Sequence, residues 1–398
     1  VDYRYGQFDG VPFPSPDDLF PSPKVIDFIL QWGDQALEAM DNFEEDEYQE
    51  LIEQMIEAGL LERDKETGAL RLTPKMLRGI QHRLLLEIFQ GVKRGTREGH
   101  ETHNAGKGEE RSDGTKPYEF GDPVSEVDLA ATLRNAIHGT QTDQPMKTPA
   151  AIKPPIHVRF DDFEIHQSES QTDVALCILL DLSGSMMRWG RFFHAKRVAL
   201  GMEALIRSKF PQDTIDYVGF YSLASHITPQ QLPLVMPKPV SINDSQVRLR
   251  VPLDQAEKNQ DNIPQHFTNL QLGLRMARRI LRRRGATEKQ IFVITDGQPT
   301  AHVEPGEETD AEMLYLLYPP TERTSTATLK EALRCQQQGI RIATFALIED
   351  YWGMGWVSFV NQLTRLTHGV AFYCSSDDLS STVIESYLSG KKRKSFIT

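Results

Sequence analysis

The stretch Val174-Ala175-Leu176-Cys177-Ile178-Leu179-Leu180, followed by Asp181-Leu182-Ser183-Gly184-Ser185, decides how this chain is read. A continuous apolar run bounded by a polar turn fits a strand buried on both faces, as in a parallel sheet. An acid placed directly after such a run emerges at the carboxyl edge of the sheet, where α/β folds bind their ligands. In the turn itself, Asp181, Ser183 and Ser185 occupy alternate positions. Three oxygen-bearing side chains can therefore aim at one point, and Gly184 permits the tight backbone.

Downstream the pattern alternates. A helix is expected from about Arg191, with Ala195, Val198, Ala199, Met202, Leu205 and Ile206 on its inner face. A strand (Ile215 to Tyr221), a helix (Leu270 to Leu281) and a strand (Ile291 to Thr295) follow. Next come a helix (Thr328 to Gln338), a strand (Ile340 to Leu347), a helix near Val357 to Leu366, a strand (Val370 to Tyr373) and a helix (Leu379 to Leu388). Repeated β-α-β order implies an α/β fold, a doubly wound and mainly parallel sheet with helices on both faces.

Upstream the pattern is mostly helical. Residues 1 to about 20 read as an irregular arm rich in Pro, Asp and Phe. Val25, Phe28, Ile29 and Trp32 recur at helical spacing, with Leu37 and Met40 continuing the stripe. Tyr48, Leu51, Ile52, Met55 and Ile56 mark a second helix with acids opposite. Gly59 ends it, and the segment after it reads as a β-hairpin with its turn near Lys65 to Gly68, followed by a helix from Pro74. Residues 93 to 117 are poor in apolar side chains and read as linker or flexible loop. Ser125 can cap a helix over Val127 to Ile137, and the alternation from Ile156 to Glu169 predicts a half-buried strand or hairpin. The expected organisation is a smaller helical N-terminal domain with a hairpin (1–115), a connector (116–170) and the α/β domain (171–398).

Composition narrows the function. A net charge of -12 argues against a general nucleic-acid binder. No apolar stretch approaches the roughly 20 residues that span a bilayer. Three isolated cysteines, Cys177, Cys335 and Cys374, form neither a disulfide framework nor a zinc cluster, so a cytoplasmic home is expected.

Two further residues join the turn. Asp296 follows the apolar run Ile291-Phe292-Val293-Ile294-Thr295 and so emerges at the same sheet edge. Thr268 sits just before an amphipathic helix, where its hydroxyl can face the same crevice. Hydroxyls and carboxylates together suit a hard cation such as Mg2+, which demands oxygen donors and keeps some of its waters.

Asp181, Ser183, Ser185, Thr268 and Asp296 resemble the metal-ion-dependent adhesion site of the von Willebrand factor A family, the first three as its DxSxS motif. The resemblance covers roughly residues 172 to 390. One departure is visible: many members carry glycines just before the threonine, where this chain has His266-Phe267. The resemblance implies one Mg2+, or Mn2+, with a coordination position left open for a Glu or Asp carboxylate of a partner protein. Met186, Met187, Arg188, Trp189, Tyr221 and His226 are then expected on the rim. Thr295 to His302, Leu316 to Pro320 and Gly369 to Tyr373 look like cytoplasmic bacterial members paired with MoxR-type AAA+ ATPases and like the D subunit of magnesium chelatase. That narrower resemblance implies an adaptor for such an ATPase.

Other classes fit less well. A phosphatase of the haloacid-dehalogenase kind needs a second Asp where Ser183 stands, and no Gly-x-Ser-x-Gly elbow surrounds either serine. A metal-dependent hydrolase is the alternative enzyme, but it needs a general base beyond the two ligand aspartates. A DNA-binding regulator would use Lys75, Arg78, His82 and Arg83 on the helix after the hairpin. The chain is read as a binding protein, not an enzyme. An internal acid from the acidic second helix, or Asp161, Asp162 or Glu164, is a candidate latch on the open metal position.

Overall fold

The computed structural model describes residues 23–42, 46–95, 110–118, 127–139, 158–169, 173–242, 244–306, 311–347, 354–376 and 378–392. The N-terminal arm, Ser125, His100, His103 and the Gly106-Lys107-Gly108 step lie outside the described residues. Near the N-terminus, α1 (Pro23–Trp32), α2 (Asp34–Asp41) and α3 (Asp46–Glu57) precede a hairpin of β1 (Leu61–Arg63) and β2 (Leu70–Leu72), and α4 (Pro74–Gly95) follows. The hairpin turns where expected. The Asp64 carboxylate accepts the N–H groups of Glu66 and Thr67, the local bond that makes Asp a turn residue. The single helical stripe expected from Val25 to Met40 is two helices. Gly33 separates them in the left-handed region (φ 57°), and a Cβ there would lie 2.1 Å from the Leu234 carbonyl oxygen.

The connector carries β3 (Glu110–Pro117), α5 (Leu129–Gly139) and β4 (Glu164–Glu169), with β3 antiparallel to β4. This corrects the reading of residues 93–117 as loop: α4 runs on to Gly95 and 110–117 is a strand. Its sequence, ERSDGTKP, lacks the apolar alternation that betrays a strand.

The second half builds β5 (Val174–Asp181), α6 (Arg191–Lys209), β6 (Thr214–Phe220), β7 (Ala224–Ile227), β8 (Val247–Pro252), α7 (Leu253–Lys258) and α8 (Leu270–Arg282). It continues with β9 (Glu288–Thr295), β10 (Ala301–Pro305), β11 (Glu312–Tyr318), α9 (Glu322–Gln337), β12 (Ile340–Leu347), α10 (Met354–Thr367), β13 (Val370–Cys374) and α11 (Leu379–Lys392). Six strands pair in the order β13-β12-β9-β5-β6-β7, all parallel except β7. Every residue of β5 is buried, as its apolar run requires of a central strand. Ala175, Cys177 and Leu179 pack on one face among residues of α8, α9 and α10. On the opposite face Tyr217, the partner of Ile178, bonds through its hydroxyl to Ala199 and Glu203 of α6. A second, three-stranded antiparallel sheet, β10-β11-β8, was not expected. Its strands are interleaved with the main fold, and nothing local marks their pairing.

Backbone contacts gather the chain into two units, residues 1–97 with 173–386 and residues 98–172 with 387–398. In the first, α4 packs along α6, and Glu87 of α4 accepts from both Arg83 and Arg197. On the exposed side of the same helix, Lys75 and Arg78 donate to the nearby carbonyls of Ala58 and Pro74.

Lys196 ties the same seam. It is fully buried, and its Nζ donates to the carbonyls of Leu30 (2.8 Å) and Pro233 (2.9 Å). Burial pushes its ammonium down to about 7, against a partial counter-pull from Asp34. The neutral amine still has two N–H groups for two carbonyls. In the unfolded chain the lysine keeps its proton to near 10.5, so between about pH 7 and 10.5 the unfolded state binds more protons and stability rises with pH. Urea unfolding of the parent at pH 7, 8 and 9 is therefore expected to gain up to about 1.4 kcal/mol per pH unit relative to Lys196→Met. A pH-independent difference would show that the lysine stays charged.

Candidate metal centre

β5 and β9 lie side by side, with Leu180 level with Ile294, so the residues that follow each strand meet at one edge. Asp181 is fully buried there. Its Oδ1 accepts the Ser183 N–H (2.8 Å) and its Oδ2 accepts the Thr295 hydroxyl (2.5 Å), which orients the carboxylate. Burial, and next the neighbouring Asp296, raise its acid from 3.8 to about 7. Ser183 and Ser185 share a hydrogen bond at 3.0 Å, and Ser185 Oγ donates to Asp296 Oδ1 at 2.7 Å. Four of the five expected residues thus form one connected oxygen-rich cluster.

Thr268 is buried on the neighbouring loop, and among the described residues no hydrogen bond joins it to the other four. Its backbone is closely held. The Thr268 N–H donates to Thr300 Oγ1 (2.9 Å), and its carbonyl accepts from Thr300 and Ala301 at the start of β10. The three-stranded sheet therefore supports the Thr268 loop. The His266-Phe267 departure also has a physical account. The His266 carbonyl accepts the Gly184 N–H (3.1 Å), Phe267 N–H donates to Ser222 Oγ, and the His266 ring lies 4.6 Å from that of Phe267. A Cβ on Gly184 would stand 2.6 Å from Val240 Cγ2 and 3.2 Å from His266 Cβ, so glycine is needed where the two loops meet.

The rim differs in part from expectation. Met187 (54% exposed), Arg188 and Trp189 (60%) face outward, but Met186 and Tyr221 are buried. His226 lies midway along edge strand β7, opposite Val218 and 3.7 Å from Asp216. Sequence reasoning missed Arg191, whose Nη1 lies 2.6 Å from Asp296 Oδ2 with both side chains almost wholly buried. A signal was present: helix starts favour acids, and an arginine as the first residue of α6, with no acid in its first turn, runs against the helix dipole. Among the described residues, no group of three or more His, Cys, Asp or Glu is arranged to hold an ion, so this cluster depends on its hydroxyls. Nor is any described helix long and apolar enough to cross a membrane.

Fold and site define an α/β domain of the von Willebrand factor A type. Residues 174–388 match the family model described as “Rv0959-like protein, vWA domain”, and residues 110–168 match “Rv0959-like protein, third domain”. The first match takes in just over half of the chain, which belongs to this Rv0959-like family. Rv0959 of Mycobacterium tuberculosis (strain H37Rv) and Mb0984 of Mycobacterium bovis are each 28% identical over 345 residues, 86% of this chain and 45% of theirs. The chain thus spans about half the length of the curated relatives it matches. Among solved structures, the PilB minor pilin from Streptococcus sanguinis (16% identity, TM-score 0.38) covers 58% of this chain and 64% of its own. The vWF domain of the type V pili tip protein Mfa5 from Porphyromonas gingivalis (14%, TM-score 0.36) covers 55% and 96%.

The raised acid of Asp181 has a consequence for the metal-free protein. Between 3.8 and about 7 the folded state holds the proton more tightly than the unfolded state, so stability falls as pH rises through that window. Asp181→Asn removes this term. At pH 8 the variant without metal is expected to exceed the parent by on the order of 2 kcal/mol in urea unfolding, with the gap closing toward pH 4. A variant no more stable than the parent at pH 8 would mean that the carboxylate is ionised without cost.

Proposed function

We propose that the sheet-edge cluster binds one divalent ion, Mg2+ with Mn2+ as its substitute, and through it grips an acidic side chain of a protein partner. The observation that carries this reading is the run Ser183–Ser185–Asp296 beside buried Asp181. It is a set of hydroxyl and carboxylate oxygens without a nitrogen or sulfur donor, which suits a hard cation. Ser183, Ser185 and Thr268 would supply hydroxyls, and Asp181 and Asp296 carboxylates, directly or through water. The ion supplies a Lewis-acidic point of attachment for a carboxylate. Thr295 and the Ser183 N–H orient Asp181, and Thr300 fixes the Thr268 backbone.

The protein is, on this reading, a binding module rather than an enzyme. Both carboxylates at the edge belong to the donor set, which leaves neither as a general base. The partner we propose is a MoxR-type AAA+ ATPase or its target, with the chain as adaptor. Support comes from the similarity of Thr295 to His302 and Leu316 to Pro320 to adaptor-like relatives; these segments run from the end of β9 into β10 and from the end of β11, and Thr300 and Ala301 bond the Thr268 carbonyl. Three buried free cysteines fit a reducing cytoplasm.

Titration calorimetry of Mg2+ and Mn2+ into metal-free protein is expected to show a single bound ion, lost in Asp181→Ala and in Asp296→Ala. Retention of an AAA+ ATPase on the immobilised chain should then require Mg2+ and fail with a chelator. An ion bound equally by the parent and both variants would place the metal elsewhere and end this reading.

A further inference from the structure

We propose that Arg191 is the metal centre's built-in counter-ion: its guanidinium holds Asp296 in the metal-free protein and must leave that carboxylate when a divalent ion binds. This rests on the metal reading above and adds to it a named competitor.

Both oxygens of Asp296 are engaged by groups of the chain itself. Ser185 Oγ donates to Oδ1 at 2.7 Å and Arg191 Nη1 to Oδ2 at 2.6 Å. The pair is out of water, with side-chain exposures of 8% for Arg191 and 0% for Asp296. A buried carboxylate needs a partner of opposite charge, and here the partner comes from the chain itself. Helix stability does not explain the arginine. It is the first residue of α6, where a cation opposes the macrodipole and an acid would be favoured. Two successive residues in the left-handed region, Trp189 (φ 56°) and Gly190 (φ 66°), turn the chain into that helix just before it. For a tryptophan this conformation is strained, and the turn it makes starts α6 at Arg191, in reach of Asp296.

Charge favours the exchange. The guanidinium contacts Asp296, and Asp181 is a second buried acid at the same edge, whereas a divalent ion can answer both. A dication and a guanidinium on the same carboxylate repel each other strongly in a site that excludes water. Ion binding is therefore a displacement. The intrinsic affinity of the oxygen cluster is reduced by the strength of the Arg191–Asp296 contact, so the centre fills only when the ion, or the ion together with a partner's carboxylate, outcompetes the arginine.

The test titrates Mn2+ into the full chain, comparing the parent with Arg191→Gln and Arg191→Lys, and follows the rise in Tm on adding ion. Removing the competitor is expected to lower the Kd for Mn2+ by about ten-fold or more in Arg191→Gln. The same variant should melt lower than the parent without metal and gain more in Tm from saturating Mn2+. Arg191→Lys, which keeps a cation but loses the planar fork, should fall between the two and serves as the comparison if Arg191→Gln does not fold. Binding by Arg191→Gln alone, with none by the parent, would support the proposal most directly. Equal or weaker affinity in the folded variants would overturn it while leaving the metal site in place. No binding by parent or variants would remove both the metal reading and the competitor.

Discussion

Two strands buried along nearly their whole length, β5 and β9, run side by side and deliver a carboxylate each to the same edge of the sheet. An ionised acid taken out of water is stable only with hydrogen bonds or a compensating charge. Much of the surrounding structure answers that demand. Thr295 and the Ser183 backbone satisfy Asp181, while Ser185 and Arg191 satisfy Asp296. The same groups that make the acids tolerable also hold them where oxygen donors converge, so stability and the proposed ion site rest on one arrangement.

The loops that frame this edge are held from several directions. Gly184 lets the Ser183–Ser185 turn sit against the His266 loop, and that loop is fastened through Ser222 and Asn269 to the end of β6. The three-stranded sheet supports Thr268 through Thr300. On the far side of α6, Lys196 joins the N-terminal helices to the segment around Pro233, a few residues before Lys238, whose N–H donates to the Leu182 carbonyl. The N-terminal helices are thus structurally continuous with the loops beside the site. A buried amine in that seam makes the junction sensitive to anything that changes its protonation or its two carbonyl partners.

The main sheet was legible because its signals are local. The run from Val174 to Leu180 and the run from Ile291 to Thr295 are apolar without interruption, which a strand covered on both faces requires. Helices α8 and α10 were found within a few residues of their ends from apolar spacing alone. Strand β3 escaped because a polar strand on a small two-stranded sheet has no period to detect; β8 alternates and β11 is apolar, local signals that were passed over, and only their pairing with each other and with β10 crosses the main fold. The break at Gly33 was hidden because its cause, the Leu234 carbonyl, lies some two hundred residues away.

The amino-acid sequence alone determined the α/β order, the residues Asp181, Ser183, Ser185 and Asp296 that meet at the edge, and the hydroxyl-and-carboxylate chemistry of the cluster, because strand ends and turn residues follow from short-range pattern. Tertiary structure alone decided what those acids are paired with. The Arg191–Asp296 contact joins residues 105 positions apart and the Lys196–Leu30 contact residues 166 apart. No hydrophobic period or turn signal encodes such a pair. Each exists because packing excludes water around a charge and leaves one particular side chain or carbonyl within reach to satisfy it.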